Sequence, residues 1–84
     1  MTIEYGWEIW AKWSHNNEPT MASYCPRLLT SVEDCRKRWK GKFKKEIISE
    51  LQAYKQTDIS FRIYKITDYK WNTKEYIEII EVEE

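Results

Sequence analysis

TSVEDCRKRWKGKFKKEIISELQAY, residues 30–54, is the stretch on which the fold turns. Val32, Cys35, Trp39, Phe43, Ile47, Leu51 and Tyr54 follow one another at steps of three or four. That is the period at which side chains return to one face of an α-helix, so the spacing predicts one long amphipathic helix over Thr30–Tyr54. Thr30 and Glu33 have the form of a capping box, and Glu33 with Asp34 suits the positive end of the helix dipole. Gly41 stands mid-helix, where it costs about 1 kcal/mol relative to Ala or marks a bend or a close backbone contact.

Outward from the helix, apolar blocks on either side read as strands that it covers. Ile3–Trp13 alternates, with Ile3, Tyr5, Trp7, Ile9, Ala11 and Trp13 on one side and Glu4, Gly6, Glu8, Trp10 and Lys12 on the other. Ser14–Leu29 holds two prolines and no sustained pattern, which predicts an irregular crossover loop. Asp58–Thr67 alternates again, with Ile59, Phe61 and Ile63 opposite Arg62, Tyr64 and Ile66. Asp68–Lys74 reads as a hairpin loop or the flared end of a longer ribbon. Glu75–Val82 reads as a last strand that is apolar on both sides.

The expected architecture is therefore α+β: a small three-stranded sheet in strand-helix-strand-strand order, with one long helix packed on one face. If the first two strands are neighbours, the helical crossover makes them parallel. Trp7, Trp39 and Phe61 should meet between helix and sheet. At 84 residues the chain is expected to form a single domain, 1–84. Five Trp, six Tyr and two Phe supply bulk that so small a core needs.

Composition bounds the function. No apolar run approaches the roughly 20 residues of a membrane span, and nothing resembles a signal peptide. A cytoplasmic protein without membrane contact is expected. Net charge is zero, but Arg36–Lys45 holds seven bases and no acid, whereas Glu75–Glu84 holds five acids and no base. Such segregation creates local potential that can steer a charged partner.

The pieces of a catalytic site are missing. Two glycines make no phosphate loop, and a single histidine excludes two-histidine metal motifs. The expectation is no enzyme and no cofactor. His15, Cys25 and Cys35 would make three quarters of a zinc site, but closely spaced ligand pairs are lacking. No metal is expected, and a zinc-stabilised binding domain stands as an alternative. A second alternative is nucleic-acid binding through the basic helix 36–45, with Arg36, Lys37, Lys40 and Lys44 on phosphates. Against it, Trp39 and Phe43 belong to the core stripe, and a typical nucleic-acid binder is basic overall.

The favoured reading is docking onto another protein through the sheet. Trp10 and Tyr64 point away from the helix, and Glu78 and Glu81 would orient a partner. A homodimer would cover the same surface. In size, aromatic richness and charge segregation over the whole chain, the sequence resembles small proteins that bacteriophages encode against host machinery, anti-CRISPR proteins among them. That resemblance rests on no single motif. It implies a host-protein target such as an RNA-guided nuclease, and it carries no functional residue over.

Overall fold

The computed structural model describes residues 1–82. Six elements follow in order: β1 (Ile3–Lys12), β2 (Thr20–Tyr24), α1 (Val32–Arg38), α2 (Gly41–Ala53), β3 (Thr57–Thr67) and β4 (Lys70–Glu81). The α+β class stands, but the sheet has four strands rather than three and the helix is in two pieces.

The fourth strand is β2, inside the segment expected to be an irregular loop. Its five residues pair antiparallel with β1, Tyr24 opposite Glu8 and Thr20 opposite Ala11. Between Ser23 and Met21 the register slips by one, leaving Ala22 as an extra residue. A bulge in so short a strand destroys the period-two pattern by which sequence reveals strands. The order across the sheet is β2-β1-β3-β4, with every pair antiparallel.

β1 and β3 are thus neighbours, yet antiparallel and not parallel. The physical reason is β2, which reverses the chain before the helices begin. The helical crossover then joins β2 to β3, which are parallel to each other with β1 between them.

The helix divides at Trp39–Lys40. Trp39 leaves helical geometry at φ −89°, ψ 66°, and Gly41 opens α2 at φ 60°. A Cβ on Gly41 would meet no atom within 4 Å, so glycine serves here for its left-handed backbone and not for close packing. The N-cap is Ser31, whose Oγ accepts the Asp34 N–H at 3.1 Å, and not Thr30. Thr30 instead donates to the Asp34 carboxylate at 3.3 Å.

Both helices lie on one sheet face. There the Phe61 ring is sandwiched, 4.9 Å from Trp39 at 14° and 5.7 Å from Trp7 at 24°. Phe43 closes against both tryptophans edge-on. Ile9, Ala11, Cys35, Leu51, Ile59 and Ile63 complete the core. Tyr54, the last residue of the helical stripe, is exposed.

The β3–β4 connection is the ribbon alternative and not a loop. Asp68 and Tyr69 form a two-residue turn with φ 51° and 58°, the left-handed pair that matches strand twist in hairpins. Among the described residues no helix is long and apolar enough to cross a membrane.

Candidate binding face of the sheet

The face opposite the helices is built around a buried carboxylate. Glu8, on β1, is 3% exposed. Its Oε1 accepts the Tyr76 hydroxyl at 2.6 Å and the Trp10 indole N–H at 2.8 Å, while Oε2 is bound by the Lys74 ammonium. β3 separates Glu8 from Tyr76 and Lys74, so these contacts span a strand. They are possible because β4 carries extra residues. Its register slips by one at Ile77, and by three more between Glu75 and Lys70. The slips bring Lys74 and Tyr76 over the middle of the sheet.

Burial alone would raise the Glu8 carboxyl. Hydrogen bonds from Lys74, Tyr76 and Trp10, with the charge of Lys74, outweigh it and hold the group below its ordinary value. Burial likewise pulls the Lys74 ammonium down, and the bonds to Glu8 and Tyr76 leave it raised. The pair is therefore ionised at neutral pH and contributes no net charge.

The anchored Trp10 and Tyr76 rings flank Arg62 of β3. Its guanidinium carbon lies 4.4 Å from the Trp10 ring centroid and 5.8 Å from that of Tyr76, and its Nε donates to Ser60 Oγ at 3.2 Å. No carboxylate lies within ion-pair distance of Arg62 among the described residues. A guanidinium with aromatic rings on two sides has its rotamer freedom already restricted. Towards the β2 edge, Glu8, Met21, Tyr24, Tyr64, Trp71 and Lys74 line a cavity of about 240 Å³. Trp71 is 59% exposed and Tyr24 68%. Ile77 and Ile79 add exposed apolar surface on β4.

The residues expected to bind a partner separate into two groups. Trp10 and Tyr64 do lie on the open face, but Tyr64 is 3% exposed and Ile66 is wholly buried. Tyr64 lies across Gly6 and contacts the rings of Trp71 and Tyr76. It forms the floor of the face, while Trp71, Tyr24, Met21 and Tyr76 form its surface. Glu81 pairs opposite Ser60 and shares a cavity wall with Arg62 and Ile79, on the same side. Glu78 does not join them. Register is unbroken from Glu81 to Glu78, so plain alternation over three residues puts Glu78 on the helix side, where Arg36 binds it at 2.8 Å. That bond holds the Glu78 carboxyl below its usual range.

The basic block is divided as well. Arg36 is engaged with Glu78 and Glu33, and the Lys44 ammonium lies 5.9 Å from the Trp39 ring. Lys37 and Lys40 are exposed. Trp39 and Phe43 face the core, so neither offers a stacking surface beside these bases. Of the three metal candidates, His15 packs near Trp13, 6.0 Å between ring centroids, while Cys25 and Cys35 are buried and not joined to each other. Burial first, then Cys25 and Asp34, push the Cys35 thiol up to about 11. No group of three potential ligands lies together among the described residues.

Glu8, Arg62, Trp71, Lys74 and Tyr76 are missing from the residues singled out by sequence. Alternation placed Glu8 with Trp10 and Arg62 with Tyr64 on the outward side. It could not reveal which outward residues of different strands meet, because register is set by bulges and turns. Comparison of the chain with protein-family models, curated proteins and solved structures finds no match in any of the three.

Proposed function

We propose that this chain is a non-enzymatic protein-binding module that docks through the open face of its sheet. One observation carries the reading: exposed Trp71, Tyr24 and Met21 line one cavity, and Arg62 lies beside the Trp10 and Tyr76 rings, on the same sheet face, which neither helix covers. Aromatic residues and arginine are the types enriched where binding energy concentrates, and a restrained guanidinium loses little freedom on contact. The buried Glu8 hub supports the surface by fixing the orientation of Trp10, Tyr76 and Lys74. The partner is a protein that presents apolar side chains and a carboxylate to Arg62. The resemblance to anti-CRISPR proteins suggests an RNA-guided nuclease as the first target to try, with the chain acting as its inhibitor.

The test begins with solution mass, which shows whether a second copy covers the face. Affinity capture and a nuclease-inhibition assay follow, comparing the native chain with the double variant Trp71→Ala/Tyr24→Ala. Both side chains are largely exposed, so the melting curve should hardly move while capture is lost. Capture at full strength by that variant would place the binding surface elsewhere.

A further inference from the structure

A second concave surface lies on the helix side, away from the face described above. After β2 the chain runs on beside β1. The Cys25 N–H donates to the Trp7 carbonyl at 3.0 Å, and Leu29 and Tyr5 exchange backbone bonds of 2.7 and 2.8 Å. α1 forms the opposite wall and is tied on its far side to β4 by Arg36 and Glu78. Between the two walls is a cavity of about 530 Å³.

Its floor is apolar, made by Trp7, Cys25 and Leu29, and its rim carries Arg27, Lys37 and Arg38 with Asp34 as the single acid. Arg27 and Lys37 enter no ion pair among the described residues. Arg38 rests on the Phe43 ring at 3.9 Å, a contact that leaves its charge uncompensated. The Asp34 carboxylate already accepts from Thr30. The groove thus joins an apolar floor to an excess of positive charge in a chain whose total charge is zero.

We propose that this groove binds an acidic peptide segment of a protein partner. An apolar side chain of the segment enters against Trp7 and Leu29, and flanking carboxylates meet Arg27, Lys37 and Arg38. Charge complementarity sets the sign of the occupant, and the apolar floor sets its need for a hydrophobic anchor. A nucleic-acid strand fits less well. It gains from exposed aromatic rings beside the cations, and here Trp39 is stacked on Phe61 inside the core.

Cys25, a residue 7% exposed on the floor whose Sγ accepts the Trp7 N–H at 3.4 Å and lies 3.8 Å from the Tyr64 hydroxyl, reports occupancy, whereas Cys35 is fully buried. The probe is a synthetic peptide alternating leucine with glutamate, and its control carries lysine in place of glutamate. The acidic peptide should slow alkylation of Cys25 by about tenfold at saturation and shift the amide resonances of Arg27, Leu29 and Lys37. Arg27→Glu/Lys37→Glu, at exposed positions, should weaken the peptide by at least about tenfold with an unchanged melting temperature, and added salt should act in the same direction. No protection of Cys25, equal binding of the lysine peptide, or tighter binding of a short oligonucleotide to the same residues would each overturn the proposal. Loss of peptide binding in Trp71→Ala/Tyr24→Ala would also overturn it, by assigning the effect to the other face.

Discussion

The Tyr76 hydroxyl donates to the Glu8 carboxylate at 2.6 Å although β3 runs between their strands. This bond, with those of Lys74 and Trp10 to the same carboxylate, ties β1 to β4 across the open face. This face, the core and the hairpin turn lead to five measurable expectations.

Glu8→Gln keeps the shape of the hub and removes its charge. The amide still accepts one or two bonds, but it turns a donor towards groups that are themselves donors. The expected loss is about 1–3 kcal/mol by urea denaturation, the range for a buried polar group left without proper partners. An unchanged midpoint would show that the hub orients the face without stabilising the fold.

The same pair sets a pH dependence. The Glu8 carboxyl is held below its ordinary 4.5, so its stabilisation is complete above that value and fades as pH falls through the lower folded one. Lys74 is raised above 10.5, so its stabilisation is complete below that value and fades as pH rises through the higher folded one. The contribution of this pair should therefore be flat between these limits and fall outside them. The alkaline limb of the whole chain begins lower, near 9, because the buried Cys35 thiol stays protonated in the folded chain after it ionises in the unfolded one. In Glu8→Gln both limbs should become shallower, with Glu78 keeping part of the acid limb. An acid limb identical to that of the native chain would assign the titration to other carboxylates.

Trp39 stacks on Phe61 in the core, yet its indole nitrogen is buried without a hydrogen-bond partner. Trp39→Ala should cost about 3–5 kcal/mol, the range for truncating a large core aromatic. Trp39→Phe should cost much less, because it keeps a ring in the stack and removes a donor that has no acceptor. Equal costs for the two variants would mean that the indole nitrogen has a partner in solution.

Gly6 lies directly beneath the Tyr64 ring and hydroxyl, so a methyl group there cannot be accommodated without moving the ring. Gly6→Ala should destabilise by about 1–3 kcal/mol, as overpacking does. In a Tyr64→Leu background the added cost should largely vanish, a coupling that a double-mutant cycle measures directly. Full additivity would show that the backbone, and not the ring, limits position 6.

At the tip of the β3–β4 hairpin, Asp68 and Tyr69 both have left-handed backbones. That conformation disfavours a bulky residue such as Tyr69 and favours an Asn-Gly pair. Asp68→Asn/Tyr69→Gly should raise the melting temperature, because the relieved backbone outweighs the exposed Tyr69–Glu4 hydrogen bond of 3.1 Å. A lower melting temperature would assign that bond a stabilising role.

The sequence by itself determined the α+β class, the inward faces of β1 and β3, and the meeting of Trp7, Trp39 and Phe61. These follow from local periodicity, which is set by backbone geometry and survives in any tertiary context. Tertiary structure decided what depends on meetings between distant segments. β2 is short and bulged at Ala22, so only its pairing with β1 identifies it as a strand. The break at Trp39–Lys40 arises where the chain must lay an indole on Phe61 and then restart a helix, and period alone runs straight through it. Glu78 and Tyr76 were indistinguishable along β4 until the bulge at Ile77 separated them, leaving one with Arg36 and taking the other to Glu8. A one-residue slip exchanges the faces of every residue beyond it, and bulges leave no mark in the composition of a strand that is apolar on both sides.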